Sequence, residues 1–558
     1  MNPIKETFLM AVKSHQKNDL LLAESLYNEV LKYDPNHIDA HNNLGLLLMG
    51  LDKIHKAKYY FEKAIKINPK HSHLHNNLGT IFLKLKENQK AIDSFQKAIE
   101  ITPNNINSYN NLGDTFRELM EYHKAIICYE KVIQLKPDLI SAHYNLGIIY
   151  QILKEDQKAI NCYEEIIKIN PNHGKANSNL GTMFKVLDKI HKAKNHFEKA
   201  IEINSNDSAS QNNLGVVFDE LAEYKKARTC FEKAIEIKPN FVNAHLNLAS
   251  IYVQIGDDTK AEKQYEKVIN LDPNHLEAQY KLGLTLHSTQ QYKKAAKHLR
   301  LIDYKKSKSY LLSCLFNLDE QFAFFKELDN LINNGVTNPI VGSLALRAEI
   351  KYGLKKKNLF CKEPLKHVLM TDLKHKCDFK FFFVDAANAI LNESQIPTKK
   401  QDLLTNGHQT AGNLFDIRSD LINKIKDILL LEIEKYRINF KDSEEGLIKN
   451  WPSDYLIQGW LVSMKSGGNL SPHILDFGWL SGSVYINVPP KLKKDNGNLV
   501  LCIEDKKNKE NENNNLKKNL DVVTGSMCLF PSSLLHYTIP FESKEDRVVL
   551  AFDVIPKT

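Results

Sequence analysis

The sequence has no apolar run long enough to cross a bilayer, and its first residues, MNPIKETFLMAVKSHQKND, lack a basic head followed by an apolar block. Neither a membrane span nor a secretory leader is expected, so the chain is read as cytoplasmic. Its eight cysteines are scattered, with no Cys-x-x-Cys pair and no zinc-ligand spacing, which points to reduced core thiols. No glycine-rich phosphate loop precedes a helix in the C-terminal part, and that part is too short for two nucleotide-binding lobes. A glycosyl- or sulfotransferase is therefore disfavoured. A basic block is missing as well: the net charge is +8, and lysines alternate with glutamates along helix faces, so nucleic acid is not an expected partner. Tryptophan is scarce, and Trp451, Trp460 and Trp479 all fall after residue 450.

What is present first is a ruler. At a shift of 34, Gly45, Gly79, Gly113, Gly147, Gly181, Gly215 and Gly283 come into register, with Ala249 in the remaining place. Pro35, Pro69, Pro103, Pro137, Pro171, Pro239 and Pro273 follow the same spacing, as do the alanines from Ala23 to Ala295. Glycine lets two helices approach, alanine and the aromatic after it (Phe61, Phe95, Tyr129, Phe197) fill the contact, and proline ends the unit. The pattern resembles the tetratricopeptide repeat, which implies about nine stacked helix pairs over residues 4–309 forming a superhelix with a concave groove.

A second column on the ruler is polar: Asn43, Asn77, Asn111, Asn145, Asn179, Asn213 and Asn247, with Lys281 closing the series. On the groove-lining helix such residues form one stripe, and a carboxamide both donates and accepts. Packing gives no reason for asparagine there. The column resembles the asparagine ladder in the repeats of O-linked N-acetylglucosamine transferase, and that likeness implies a protein or peptide partner gripped by its backbone. The alternative is that these side chains bond neighbouring helices.

Beyond residue 309 the ruler fails. Residues 310–409 read as an irregular helical bridge, with NLFCKEPLKHV as an ordered turn and QIPTKKQDLLTNGHQ as an exposed connection. Residues 410–558 read as a third unit: a helix near 416–437, then short alternating runs (WPSDYLIQGWLVSM, WLSGSVYINVP, GNLVLCIED, SMCLFP, HYTIPF, RVVLAFDVIP) that suit a jelly-roll barrel. KKNKENENNNLKKN is a polar low-complexity loop between strands. The fold class is thus multidomain α + β, an N-terminal all-α repeat superhelix followed by a double-stranded β-helix.

Three stretches of the last unit, GGNLSPH before GWLSGSVYINVP, GSMCLFPSSLLHYTIPF and RVVLAFDVIP, together resemble the iron(II)- and 2-oxoglutarate-dependent dioxygenases, in particular their prolyl-hydroxylase-like branch. The resemblance spans roughly residues 405–558 and implies Fe(II) and 2-oxoglutarate as cofactors, bound by two histidines, a carboxylate and an arginine. His536 matches the distal histidine, and Arg547 matches the arginine that forks the far carboxylate of the cosubstrate. Tyr485 shares its alternation with Ser481 and Ser483 and is a candidate cosubstrate contact, or equally a core tyrosine. The proximal motif of the branch reads His-x-His-x-acid-Gly-Trp-Leu-Ser-Gly. Here Leu475 and Phe477 stand where the second histidine and the acid belong. His473 survives, and Asp476 offers a carboxylate one position away; three apart, the two converge only if the chain turns between them. The resemblance implies hydroxylation of a protein or peptide held by the repeat groove. A non-catalytic protein-binding scaffold with a degenerate barrel remains the rival.

Overall fold

A computed structural model describes residues 3–392, 398–399, 404–410, 412–417, 419–474, 478–504 and 516–557. The chain forms two compact units, Met1–Asn213 and Leu214–Thr558.

In the first unit the ruler becomes helix pairs: Pro3–Gln16 with Leu20–Tyr33, Ile38–Gly50 with Ile54–Ile67, Ser72–Lys84 with Asn88–Ile101, and on to Ile190–Ile203. The glycines work as the spacing implied. A Cβ at Gly79 would lie 2.5 Å from Phe95 Cε1, and one at Gly181 would lie 2.7 Å from Phe197 Cε1, so the aromatic of the second helix occupies the space a side chain would need. Each pair turns through one left-handed residue, Asn18 (φ 61°), Asp52 (57°), Lys86 (60°), Met120 (59°), Lys154 (58°) or Asp188 (56°), whose N–H closes the end of the preceding helix. His37 and His173 cap the first helices of their pairs, each accepting at Nδ1 from an alanine N–H at 3.2 and 3.1 Å.

The second unit opens with the rest of the helix Ser208–Glu220 and continues through further pairs to Leu276–Ser288 with Tyr292–Arg300, then Ser307–Asn317, Gln321–Asn333 and Pro339–Tyr352. NLFCKEPLKHV is the ordered turn expected: Asn358 Oδ1 accepts from Phe360 N and Cys361 N at 3.0 and 3.1 Å, and its Nδ2 donates to Gly342 O at 2.9 Å.

Ten strands follow among the described residues: β1 (Leu369–Asp372), β2 (Thr398–Lys399), β3 (Leu404–Thr410), β4 (Tyr455–Leu470), β5 (Leu480–Asn487), β6 (Leu499–Cys502), β7 (Lys517–Leu520), β8 (Ser526–Pro531), β9 (Leu535–Thr538) and β10 (Arg547–Pro556). They make an antiparallel sheet in the order β1-β8-β5-β10-β4-β3-β2 and a second in the order β7-β6-β9, as a jelly roll requires. Three of these strands, β1, β2 and β3, come from the stretch expected as a helical bridge, so the expected boundary at 410 is too late. β1 pairs with β8, and β3, expected as an exposed connection, pairs with β4. Backbone groups take ladder partners wherever the fold supplies them, and the polar stretch TNGHQT lies next to the edge strand β2. The low-complexity loop lies largely outside the described residues.

Period-2 alternation gives β5 and β10 two faces. Leu480, Val484 and Ile486 with Val548, Leu550, Phe552 and Val554 join Ile422, Leu429, Ile433 and Tyr436 of the helix Asp420–Asn439 in one apolar core. Ser481, Ser483 and Tyr485 with Arg547, Val549, Ala551 and Asp553 occupy the opposite face. That second face carries the site.

Candidate functional site

A cavity of about 40 Å³ lies on the inner face of the barrel. His473, Ser483, Tyr485, His536, Thr538 and Arg547 line one part of it, and Trp460, Val462, Met464 and Leu470 form an apolar wall. Four of the residues singled out by sequence therefore meet in one place.

The two histidines are brought together by backbone. His473 N donates to His536 O at 3.2 Å and His536 N donates to His473 O at 2.9 Å, an isolated antiparallel bridge beyond the end of β4. The imidazole centroids are 4.1 Å apart with the rings tilted by 46°. His473 Nδ1 lies 2.8 Å from Ser471 O; because a carbonyl can only accept, the proton sits on Nδ1 and the lone pair on Nε2. His536 is 6% exposed and its Nδ1 has no hydrogen-bond partner. Burial pulls both imidazoles below their ordinary pKa, His536 furthest, where the His473 ring adds to the effect. Both rings are thus held neutral near pH 7, the state in which imidazole binds a metal.

Arg547 is 1% exposed. Its Nη2 donates to Gly497 O at 3.0 Å, its Cζ lies 5.1 Å from the Tyr485 ring centroid, and its Nε has no partner. No carboxylate pairs with it among the described residues, although burial, the larger effect, pulls its pKa down. Tyr485 is 1% exposed, and burial pushes its phenol up. A buried guanidinium with an unused donor facing a cavity is a receptor for an anion.

Fe(II) needs more than this. Two imidazoles bound side by side to one metal place their centroids on the order of 4–5 Å apart, so the observed pair fits that part of the requirement. Among the described residues, however, no group of three His, Cys, Asp or Glu could hold a metal. Asp476, the carboxylate proposed from sequence, lies outside the described residues.

Sequence reasoning missed a buried polar cluster on the same inner face, Ser481, Ser532 and Asp553. The alternation of β10 was the available signal, since Asp553 shares the parity of Arg547.

The asparagine column is half-buried, and it is not free of structural work as the sequence suggested. Asn77 Nδ2 donates to Asn42 Oδ1 at 3.0 Å, Asn111 Nδ2 to Asn76 Oδ1 at 3.1 Å, and Asn145 Nδ2 to Asp114 Oδ1 at 2.9 Å. Asn43 and Asn213 accept from Asn42 and Asn212, and Asn179 bonds the Tyr163 hydroxyl. Asn247 occupies the equivalent place in the second unit, where Lys281 Nζ continues the linkage by donating to Ser250 Oγ at 3.0 Å. Asn77, Asn111 and Asn145 thus tie successive groove-lining helices together, which corrects the expectation that packing has no use for the column.

Residues 458–553 match a family model described as "Putative 2OG-Fe(II) oxygenase". Tetratricopeptide-repeat models match at 38–71, 60–93, 79–119, 113–154, 140–173, 174–207, 220–256 and 249–290. The chain joins tetratricopeptide repeats to a 2OG-Fe(II) oxygenase-family domain. Solved structures with similar repeats include YrrB, titled a TPR protein with an unusual peptide-binding site (23% identity over 36% of this chain and 99% of that one, TM-score 0.31). MamA is similar at 25% identity over 30% of this chain and 97% of that one (TM-score 0.28). The C-terminal part of a TPR repeat-containing protein from Cytophaga hutchinsonii matches at 20% identity over 49% of this chain and 97% of that one (TM-score 0.35). No curated protein matches the chain. Among the described residues, no helix is long and apolar enough to cross a membrane.

Proposed function

We propose that the oxygenase-family domain is a 2-oxoglutarate-dependent dioxygenase that hydroxylates a protein or peptide held by the repeats. The observation that carries this reading is the buried, carboxylate-free Arg547 facing the same cavity as two neutral imidazoles. In this reading His473 through Nε2 and His536 hold Fe(II), with Asp476 as the third ligand. When bound, the metal and 2-oxoglutarate supply the activation of dioxygen and the oxidising equivalents for a C–H bond. Arg547 takes the far carboxylate of 2-oxoglutarate, its Nε–H finding there the acceptor it lacks in the free protein. Tyr485 holds the guanidinium plane, and its neutral hydroxyl is a hydrogen-bond donor at the same wall. Trp460, Val462, Met464 and Leu470 keep water from the cavity and so strengthen every polar contact in it. The asparagine column, with one amide hydrogen of Asn77, Asn111 and Asn145 committed to a neighbouring helix, presents its remaining polar atoms to an extended backbone.

The test is succinate formation from 2-oxoglutarate with added Fe(II) and ascorbate, together with equilibrium binding of each cofactor. Turnover that disappears in His536→Ala supports the reading, and absence of binding of both Fe(II) and 2-oxoglutarate at millimolar concentration overturns it. A second reading, a protein-binding scaffold with a degenerate barrel, is favoured by Leu475 and Phe477 standing where the proximal motif of the branch has a histidine and an acid.

A further inference from the structure

The cluster that sequence reasoning missed has a shape that bears on the two histidines. Asp553 is 4% exposed, Ser481 1% and Ser532 0%. Ser481 Oγ donates to Asp553 Oδ1 at 2.8 Å and lies 2.7 Å from Ser532 Oγ. With Asp553 as the acceptor, the proton of Ser481 is committed to it, so Ser532 must donate to Ser481. The three groups then form a chain of bonds running one way, each polarising the next. The backbone at Gly478 is pressed onto the same spot, where a Cβ would lie 2.7 Å from Ser532 Oγ and 2.8 Å from Asp553 Oδ1. Trp479 N donates to Val554 O at 2.7 Å and fixes that approach.

The chain of bonds thus grips β10 through Asp553, β5 through Ser481 and the turn after β8 through Ser532, with the backbone at Gly478 packed against it. The histidines hang from the third of these grips. His536 follows the turn that Ser532 anchors, a turn closed otherwise by Leu534 N to Pro531 O at 3.0 Å. His473 is tied to His536 in turn by the pair of backbone bonds between them. Apolar packing is non-directional and would let the turn slide, whereas hydroxyl-to-carboxylate bonds of this length fix direction as well as distance.

We propose that Asp553, acting through Ser481 and Ser532, is a positioning residue that sets the separation and tilt of the His473 and His536 imidazoles. The purpose assigned to the pair, holding a metal, rests on the proposed function; the positioning itself does not. The full chain, selectively labelled with ¹⁵N-histidine, tests both parts. In Ser532→Ala and Ser481→Ala the metal-free protein should show shifted ring-nitrogen resonances for His473 and His536, with those of His287 unmoved, and Co(II) affinity should fall about tenfold or more. Asp553→Ala should shift the same resonances as the serine variants do, whereas Asp553→Asn, which keeps an acceptor oxygen, should stay close to the parent in both readouts. Unshifted His473 and His536 resonances in both serine variants overturn the positioning role, whatever the metal result. A parent that binds no Co(II) while the serine variants still shift these resonances removes the metal reading and leaves the positioning role standing.

Discussion

Replacing Arg547 by methionine separates the stability of the barrel from its ligand chemistry. In the free protein an unsatisfied buried N–H costs about 1–3 kcal/mol, and desolvating the guanidinium costs several more. Against this stand one charge-assisted bond to Gly497 O at 3.0 Å, worth about 1.5–3 kcal/mol, and the Tyr485 ring at 5.1 Å, worth roughly 0.5–2 kcal/mol. Methionine fills the volume of the stem and removes the charge, but it leaves the Gly497 carbonyl unpaired. These terms nearly cancel, so without ligand the variant should lie within about 2 kcal/mol of the parent. With 2-oxoglutarate at a hundredfold excess over its Kd, the parent should gain about 2.7 kcal/mol and the variant nothing. Tryptophan fluorescence is the right probe, because Trp451, Trp460 and Trp479 all lie in the second unit and report its unfolding, not that of the first. The reasoning is refuted if Arg547→Met is the less stable protein without ligand by more than about 2 kcal/mol, or if 2-oxoglutarate stabilises both proteins equally.

Gly79→Ala should destabilise the first unit by about 1–2 kcal/mol, since overpacking against Phe95 outweighs the helix propensity gained. Gly50→Ala, with nothing within 4 Å of the new Cβ, should instead stabilise it by about 0.5–1 kcal/mol; urea denaturation compares the two. Burial holds His287 at a pKa of about 4, so it stays neutral in the folded protein while the unfolded chain takes up a proton below the ordinary imidazole value. Its contribution to stability is therefore lost as pH falls from about 6.5 towards 4, amounting to about 1 kcal/mol at pH 5.5. His287→Gln should flatten the stability profile in that window. The triple variant Asn111→Ala, Asn145→Ala, Asn179→Ala should lose about 1–3 kcal/mol of stability from its missing inter-helix bonds. It should also weaken capture of an extended peptide, and unchanged peptide binding measured on the folded variant would remove the groove reading.

The repeats were legible because their constraints are local and periodic. Glycine against aromatic, alanine at the contact and proline after the second helix each answer a need that recurs every 34 residues, so the sequence states them many times over. The asparagine column was equally visible, but its use was not, because Asn77 meets Asn42 and Asn111 meets Asn76 only when helices of successive repeats lie side by side. In the barrel, alternation along β5 put Tyr485 on the face of Ser481 and Ser483 in advance, whereas Arg547 was picked out by the family resemblance, and the pairing of β5 with β10 put the two on one face. What alternation cannot supply is the register between strands distant in sequence. That register brings His473 onto His536 through a backbone bridge, aligns Asp553 with Ser481, and draws β1 and β3 into the sheet from a stretch read as a bridge. The sequence by itself determined which side chains face inward. Tertiary pairing alone decided which of them touch, because hydrogen-bond and packing partners far apart along the chain leave no periodic trace in either segment.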